Sequence, residues 1–378
     1  MKKILILKGQ SQYNLLRYWT DALAVGFEKQ GIDVTILDLK ILDDHILSMY
    51  LQEEYEAVIA FNGYMLQSGF SELLKCPYIY ILIDHPIDHI ARINQLKSTD
   101  ILTIVDRNDI YSLDRFCKMP NYVYMLPHAA QEITAKKYDK TIDVLFSGTY
   151  IDPESCKERW KENEILLKLF EDVTQKCLSQ SESYYIDEID KWLKQVYKRS
   201  VDFKVDTFTP LISDIGRYIY AVRRLEVLEA ILKSGIEVYV YGNGWDNSVI
   251  MKYDNAIIRS GVNYWKLQEI MRYSKIILNI AGIAKDGTHE RVFAGMAAQS
   301  VVLTNETPYL KELFEENEEL LFYNFNQIEE VPQKITRILK NESELSRVSH
   351  NAVQAIIDKH TWNERAKALI EILEAEIH

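Results

Sequence analysis

Residues 279–305 read NIAGIAKDGTHERVFAGMAAQSVVLTN. An apolar run, Lys275 to Ile280, leads into this stretch and has the length and composition of a buried β-strand. A polar, glycine-containing loop follows. A helix is expected to open at Thr288-His289-Glu290-Arg291 and to end near Gln299, before a second buried strand at Ser300 to Thr304. Thr288 or Asp286 can serve as its N-cap, and Val292, Phe293 and Met296 form its apolar face. In an open α/β sheet, ligands bind outside the carboxyl ends of the strands, where loops and helix N-termini gather. The loop also carries ionisable side chains that no core requires.

The rest of the chain repeats this unit. In the first third, apolar runs at Lys3–Lys8, Asp33–Leu39, Ala57–Phe61, Tyr78–Ile83, Ile101–Val105 and Tyr122–Leu126 read as strands. An amphipathic helix spans Leu15 to Gln30, with Gly31 as its C-cap. Continuous apolar strands spaced by helices imply a parallel sheet covered on both faces. This is a Rossmann-like domain without a GxGxxG. The polar stretch Gln131–Lys140 is the expected linker. A second α/β unit then begins at Ile142–Phe146 and continues with a long helical region, residues 154–233, broken near Ser179–Ser183 and Thr207–Pro210. Strands follow at Glu237–Tyr241, Ala256–Ser260, Lys275–Ile280, Val301–Thr304 and Leu320–Tyr323. The expected domains are 1–133 and 134–358, with residues 359–378 a helix packing back on the first.

Bulk properties narrow the function. A chain of 378 residues suits two domains better than one. The 47% hydrophobic content is ample for packed cores, and 24 Tyr against 14 Gly and 8 Pro points to ordered structure. A net charge of −12 argues against nucleic acid as the main partner. Cys76, Cys117, Cys156 and Cys177 form no CxxC or Cys/His zinc spacing and read as buried free thiols. The N-terminal apolar run, Ile4 to Leu7, is too short for a signal sequence or a membrane span. A cytoplasmic protein without a transmembrane segment is expected.

Four constellations have the residue types for chemistry. Gly242-Asn243-Gly244, directly after a strand, lets backbone N–H groups approach a phosphate, or makes a plain turn. Ser147-Gly148-Thr149 ends the first strand of the second domain and is either a cleft loop or a strand-to-helix turn. In Asp286-Gly287-Thr288-His289-Glu290-Arg291, the first-turn N–H groups and Arg291 can hold a pyrophosphate and Glu290 a ribose; alternatively Glu290 and Arg291 are a solvated first turn. Asp84-His85-Pro86 with Asp88 and His89 ends a strand in the first domain. Asp84 or His85 can deprotonate a hydroxyl there, or Asp84 simply N-caps the next helix. DHxxDH also has the look of a metal cluster, but no further His or Cys ligand lies nearby. Weaker candidates are Gly9-Gln10-Ser11, His128, and the pair Arg223-Arg224, for which a surface role is the default.

Four stretches resemble the GT-B glycosyltransferases of group 1, in particular the CgeB-like, spore-maturation branch. They are Ile81-Leu82-Ile83-Asp84-His85-Pro86, Ser147-Gly148-Thr149 after its strand, Asn279 followed by His289-Glu290-Arg291-Val292-Phe293, and His360-Thr361-Trp362-Asn363-Glu364-Arg365. The resemblance implies two Rossmann-like domains facing across a cleft, with the C-terminal helix crossing back to the first. It implies metal-independent transfer of a sugar from a nucleotide sugar of UDP type, with no cofactor beyond that donor. The second domain would bind the nucleotide through Ser147, Gly148, Gly242, Asn243, Gly244, Asn279, Thr288, His289, Glu290 and Arg291. The first would bind the acceptor, a glycan, protein or lipid-linked intermediate. Two positions depart from the pattern: Ala294 stands where many relatives hold the ribose with Glu, and Gln299 where many have Gly. No E-x7-E is present, since Glu290 plus eight is Ala298. A sugar-nucleotide epimerase of GT-B architecture and a non-catalytic partner subunit are the alternatives.

Overall fold

The computed structural model describes residues 3–130, 136, 138–198 and 208–377. The expected linker therefore falls largely outside the described residues, as does the Thr207 side of the second helix break. The chain divides into two compact units. One comprises Met1–Glu132, Asn263–Trp265 and Ile356–His378, and the other Ile133–Val262 and Lys266–Ala355.

Each unit is built on a six-stranded parallel sheet. In the first, β1 (Lys3–Lys8), β2 (Asp33–Asp38), β3 (Ala57–Phe61), β4 (Tyr78–Ile81), β5 (Ile101–Ile104) and β6 (Tyr122–Met125) lie in the order β2-β1-β3-β4-β5-β6. In the second, β7 (Ile142–Ser147), β8 (Val238–Tyr241), β9 (Ala256–Arg259), β10 (Ser274–Asn279), β11 (Val301–Asn305) and β12 (Leu321–Tyr323) lie in the order β12-β11-β10-β7-β8-β9. All twelve expected strands are present, with ends shifted by up to two residues. The strands inside each sheet, among them β1, β3, β4 and β5 in the first and β7, β10 and β11 in the second, have buried central residues, as continuous apolar strands require, whereas β2, β6 and β9 are only partly buried. Strand order reverses between β1 and β3 in the first sheet and between β7 and β10 in the second. At such a reversal the loops from neighbouring strands diverge and leave a crevice at the carboxyl edge.

The Trp362–Ile377 helix belongs to the first unit. Its Arg365 donates to the carbonyls of Pro127 and His128 at 2.8 and 2.9 Å, and Asn363 accepts at 2.6 Å from Gln30, the residue that caps the Leu15–Lys29 helix. The Phe208–Lys233 helix is covered on more than one side, so Arg223 and Arg224 are 3% and 5% exposed. The default surface role for this pair is thus corrected. Pro210 sits in the first turn of that helix, where it costs no hydrogen bond. Cys117, Cys156 and Cys177 are buried free thiols, and Cys76 is half-buried. Among the described residues no helix is long and apolar enough to cross a membrane.

The Glu290–Ala297 helix ends in a Schellman motif: Gln299 N–H bonds the Met296 carbonyl and Ser300 N–H the Gly295 carbonyl. Gln299 has φ +58°, the left-handed conformation in which a Cβ is unfavourable. Glycine is the residue this position favours. Gln299→Gly should therefore stabilise the protein by about 1 kcal/mol. Urea denaturation checks this, and an unchanged or lowered midpoint would refute it.

Candidate functional site

In the second unit, β7, β8 and β10 carry most of the expected donor residues to one edge of the sheet. Ser147 ends β7 and Gly148 follows it. Gly242-Asn243-Gly244 follows β8, and Asn279 ends β10. Asn279 is 1% exposed. Its side chain donates to Thr304 Oγ1 at 2.9 Å and accepts from Arg291 Nη1 at 2.9 Å. The carbonyl of Asn279 accepts from the Tyr323 hydroxyl at 3.0 Å. Asn279 thereby fixes both the strand end and the arginine one loop later.

The helix opens later than expected. Its N-cap is His289, whose Nδ1 lies 3.4 Å from the Arg291 amide nitrogen, rather than Thr288 or Asp286. Thr288 is buried, with its hydroxyl 3.4 Å from the His289 carbonyl. The carboxylate of Glu290 pairs with His289 and lies 3.8 Å from Arg291 Nε. Glu290 and Arg291 are 9% and 4% exposed, so they are no solvated first turn. Arg291 also bonds His289 Nε2 at 3.0 Å. Ala294 is buried in this helix.

The two glycine loops lock onto each other. Gly148 N–H donates to the Tyr241 carbonyl and Tyr150 N–H to the Asn243 carbonyl, both at 2.9 Å, while Trp245 Nε1 donates to the Gly148 carbonyl at 2.6 Å. Gly242 N–H donates to the Arg259 carbonyl at 3.0 Å. That amide is spent within the fold. Gly242 is required for another reason: a Cβ there would lie 2.0 Å from the Gly148 carbonyl oxygen. Gly244, at φ +87°, starts the short turn through Trp245.

The same edge contains residues that sequence reading placed on a surface. Arg224 reaches from the Phe208–Lys233 helix to the end of β7. It donates to the Thr149 carbonyl at 2.9 Å and to the Tyr220 hydroxyl. Its guanidinium lies 3.8 Å from the Tyr220 ring centroid and 5.5 Å from that of Phe146. Arg291 approaches the same Phe146 ring at 5.9 Å. A Cβ on Gly148 would meet the Arg224 guanidinium at 3.0–3.1 Å, so glycine opens the notch it occupies. Burial lowers the Arg224 pKa to about 10. Among the described residues no carboxylate pairs with Arg224 within 4.0 Å. Its Nε and the Oγ of Ser147 are buried without a hydrogen-bond partner.

In the first unit, Asn62 ends the β3 region with φ +52° and joins two strand ends. Its side chain donates to Asp84 Oδ2 at 2.7 Å and accepts from Ile83 N–H at 3.2 Å. His89 Nε2 stands 3.6 Å from the same Asp84 oxygen, and its Nδ1 is 2.7 Å from the Tyr80 hydroxyl. Asp84 is otherwise open to solvent. Desolvation acts to raise its pKa, but His89 and Asn62 outweigh that and hold it below the usual carboxylate value. Asp84 does not cap the next turn; His85 does, accepting from Ile87 N–H at 3.2 Å. The other ring nitrogen of His85 faces Ser112 and Asp109, at 3.5 and 3.9 Å. Burial, with a smaller contribution from His89, takes His85 down to about 4. His85 is therefore turned into the domain, and of the two expected bases Asp84 alone faces solvent. His89 and His128 are buried, and burial lowers His128 to about 4. Among the described residues no group of three or more His, Cys, Asp or Glu is placed to hold a metal ion.

Residues 223–371 match the family described as "Glycosyl transferase-like". No curated protein sequence matches the chain. Solved structures match it over nearly its full length. Anabaena HepE in complex with UDP and glucose aligns with 99% of each chain at 10% identity and a TM-score of 0.56. Sucrose-phosphate synthase from Thermosynechococcus elongatus aligns with 99% of each chain at 7% identity and a TM-score of 0.58. The T4 phage BGT complex with its UDP-glucose substrate aligns with 99% of each chain at 11% identity and a TM-score of 0.54. The fold of this protein is GT-B.

The lock between the glycine loops is testable. Gly242→Ala drives a methyl into backbone, which no rotamer can relieve, and should cost about 3 kcal/mol or more. A urea midpoint within error of the parent protein would refute the backbone contact.

Proposed function

We propose that this protein is a glycosyltransferase that moves a sugar from a nucleoside diphosphate donor, of UDP type, to an acceptor hydroxyl. One observation carries the reading. A buried guanidinium with no paired carboxylate among the described residues, Arg224, and a second, Arg291, converge at the carboxyl edge of β7 and β10. This is where a GT-B second domain meets its nucleotide, and a diphosphate supplies the missing negative charge. The family match over 223–371 and the UDP or UDP-glucose in the complexes of two neighbours support the same donor class. The resemblance of four separate motifs supports placement in the CgeB-like branch.

In this reading, Arg291 and the N-terminus of the Glu290–Ala297 helix hold the diphosphate. Glu290, held by His289, accepts from the ribose hydroxyls. Ser147 and Gly148 line the approach, Asn279 fixes Arg291, and the Gly242-Asn243-Gly244 loop shapes the edge through its backbone lock. In the first unit, Asp84 takes the acceptor proton. The acceptor oxygen then bonds to the anomeric carbon as the bond from that carbon to the diphosphate breaks, and the diphosphate leaves with the bond's electrons. Fixed positive groups stabilise the charge that develops on it. The acceptor is a glycan, protein or lipid-linked intermediate; a net charge of −12 favours these over nucleic acid.

Two outcomes test the proposal. A panel of nucleoside diphosphates should include one, expected to be UDP, that raises the melting temperature by several degrees at ~100-fold over its Kd, and Glu290→Ala should lose most of that shift. If no diphosphate shifts the wild type, the donor site is wrong. Asp84→Asn should lower kcat by ~10²–10⁴ with little change in KM. Because Asp84 is held below the usual carboxylate pKa, activity should survive acidification until the pH falls through that lowered value. His89→Phe should move this acid limb upward. A profile unchanged in both variants would remove Asp84 from the reaction.

A further inference from the structure

The donor reading leaves one cluster of polar atoms without an explanation. Tyr220 is half-buried on the Phe208–Lys233 helix. Its hydroxyl accepts from Arg224 Nη2, and Arg291 is a second cation close by. Arginine is a donor only, with no lone pair to offer. Neither guanidinium can therefore take the Tyr220 hydroxyl proton. Two further donors at the end of β7, Ser147 Oγ and the Nε of Arg224, are buried without a partner among the described residues. Ser147 and Arg224 are 4% and 5% exposed. Buried polar groups without partners are uncommon and demand a reason. Three donors in a positively charged surrounding suit an anion with several acceptor oxygens.

We propose that Tyr220, with Ser147 and Arg224 Nε, binds the diphosphate of the donor, the Tyr220 hydroxyl donating to an oxygen of the leaving phosphate. This rests on the glycosyltransferase reading and adds to it a contact residue that the sequence motifs do not contain. Arg224 orients the hydroxyl by occupying its lone pair, so that the proton points away from the guanidinium. Burial opposes ionisation of Tyr220, but Arg224 and Arg291 outweigh it and hold the phenol below its ordinary pKa. A more acidic phenol is a stronger donor. No proton is transferred to the diphosphate: the phenol keeps its hydrogen, the acceptor's proton goes to Asp84, and the bond electrons stay on the departing diphosphate. The hydrogen bond shortens as charge builds on that oxygen, which favours the transition state over the bound donor.

Isothermal titration of wild type and Tyr220→Phe with UDP, GDP and ADP, each beside its parent nucleoside, tests this. The wild type is expected to bind one diphosphate. Tyr220→Phe should bind it at least ~10-fold more weakly, as loss of a hydrogen bond to a charged group implies, and should bind the nucleoside equally well. Its melting temperature without ligand should fall by only a few degrees, because Phe keeps the ring face on Arg224 and removes one acceptor. If Tyr220→Phe keeps full affinity for the diphosphate, the Tyr220 contact is overturned and the donor site stands. If it loses affinity for the nucleoside to the same extent, the hydroxyl is structural and the contact is again overturned. If the wild type binds none of the three, this inference and the donor site both fall.

Discussion

The second unit is organised around a positive charge taken out of water. Burying a guanidinium costs several kcal/mol unless hydrogen bonds and counter-charge replace its hydration. Arg224 recovers part of that from the Thr149 carbonyl, the Tyr220 hydroxyl and the faces of two aromatic rings. It recovers none from a carboxylate among the described residues. The surrounding geometry follows from accommodating it. Gly148 must lack a side chain to leave the notch, and the Gly148 carbonyl must accept from Trp245 to hold the loop open. Gly242 must lack one to let that carbonyl approach. The site is thus a set of backbone contacts arranged to keep one cation under-neutralised.

The first unit applies the same topological rule to the opposite charge. At its carboxyl edge, Asn62 takes a left-handed conformation to reach both Asp84 and the Ile83 amide. His89, tied to Tyr80, faces the same carboxylate. The result is an exposed carboxylate kept ionised by neighbours that are themselves buried. One sheet edge is built to attract negative charge and the other to present it. The parallel arrangement permits this, because every strand delivers its following loop to the same edge.

Much of this was legible in the sequence, for identifiable reasons. Strands of a parallel sheet leave apolar runs, continuous where both faces are buried, so all twelve were readable, and their ends were set by hydrogen bonding that composition does not record. The loop and helix of residues 279–305 were readable because Asn279, Glu290 and Arg291 are polar where a core is apolar. The cap was misplaced because His289, an uncommon N-cap, does the work usually given to Thr or Asp. Arg224 was read as a weak candidate with a surface role by default, and Tyr220 was missed, because a helix contacted on one side shows a polar stripe, whereas this helix packs on several. His85 looked equivalent to Asp84 because adjacency in sequence does not say which side chain turns inward. Asn62 carried one signal, the Asn62-Gly63 dipeptide directly after a strand, which marks a chain reversal with positive φ.

The charge imbalance also determines how the free protein relates to its complex. With Arg224 lacking a carboxylate among the described residues, the folded state carries an electrostatic cost that a bound dianion removes. Ligand affinity and fold stability then draw on one interaction, and the complex gains what the free protein lacks. A carboxylate supplied by the chain would neutralise Arg224 permanently and compete with every incoming phosphate. Glu290, beside Arg291, is instead paired with His289 and stands 3.8 Å from Arg291 Nε. Keeping the carboxylate on His289 leaves the second cation only partly neutralised, so both arginines remain receptive to phosphate while Glu290 stays available to neutral hydroxyls.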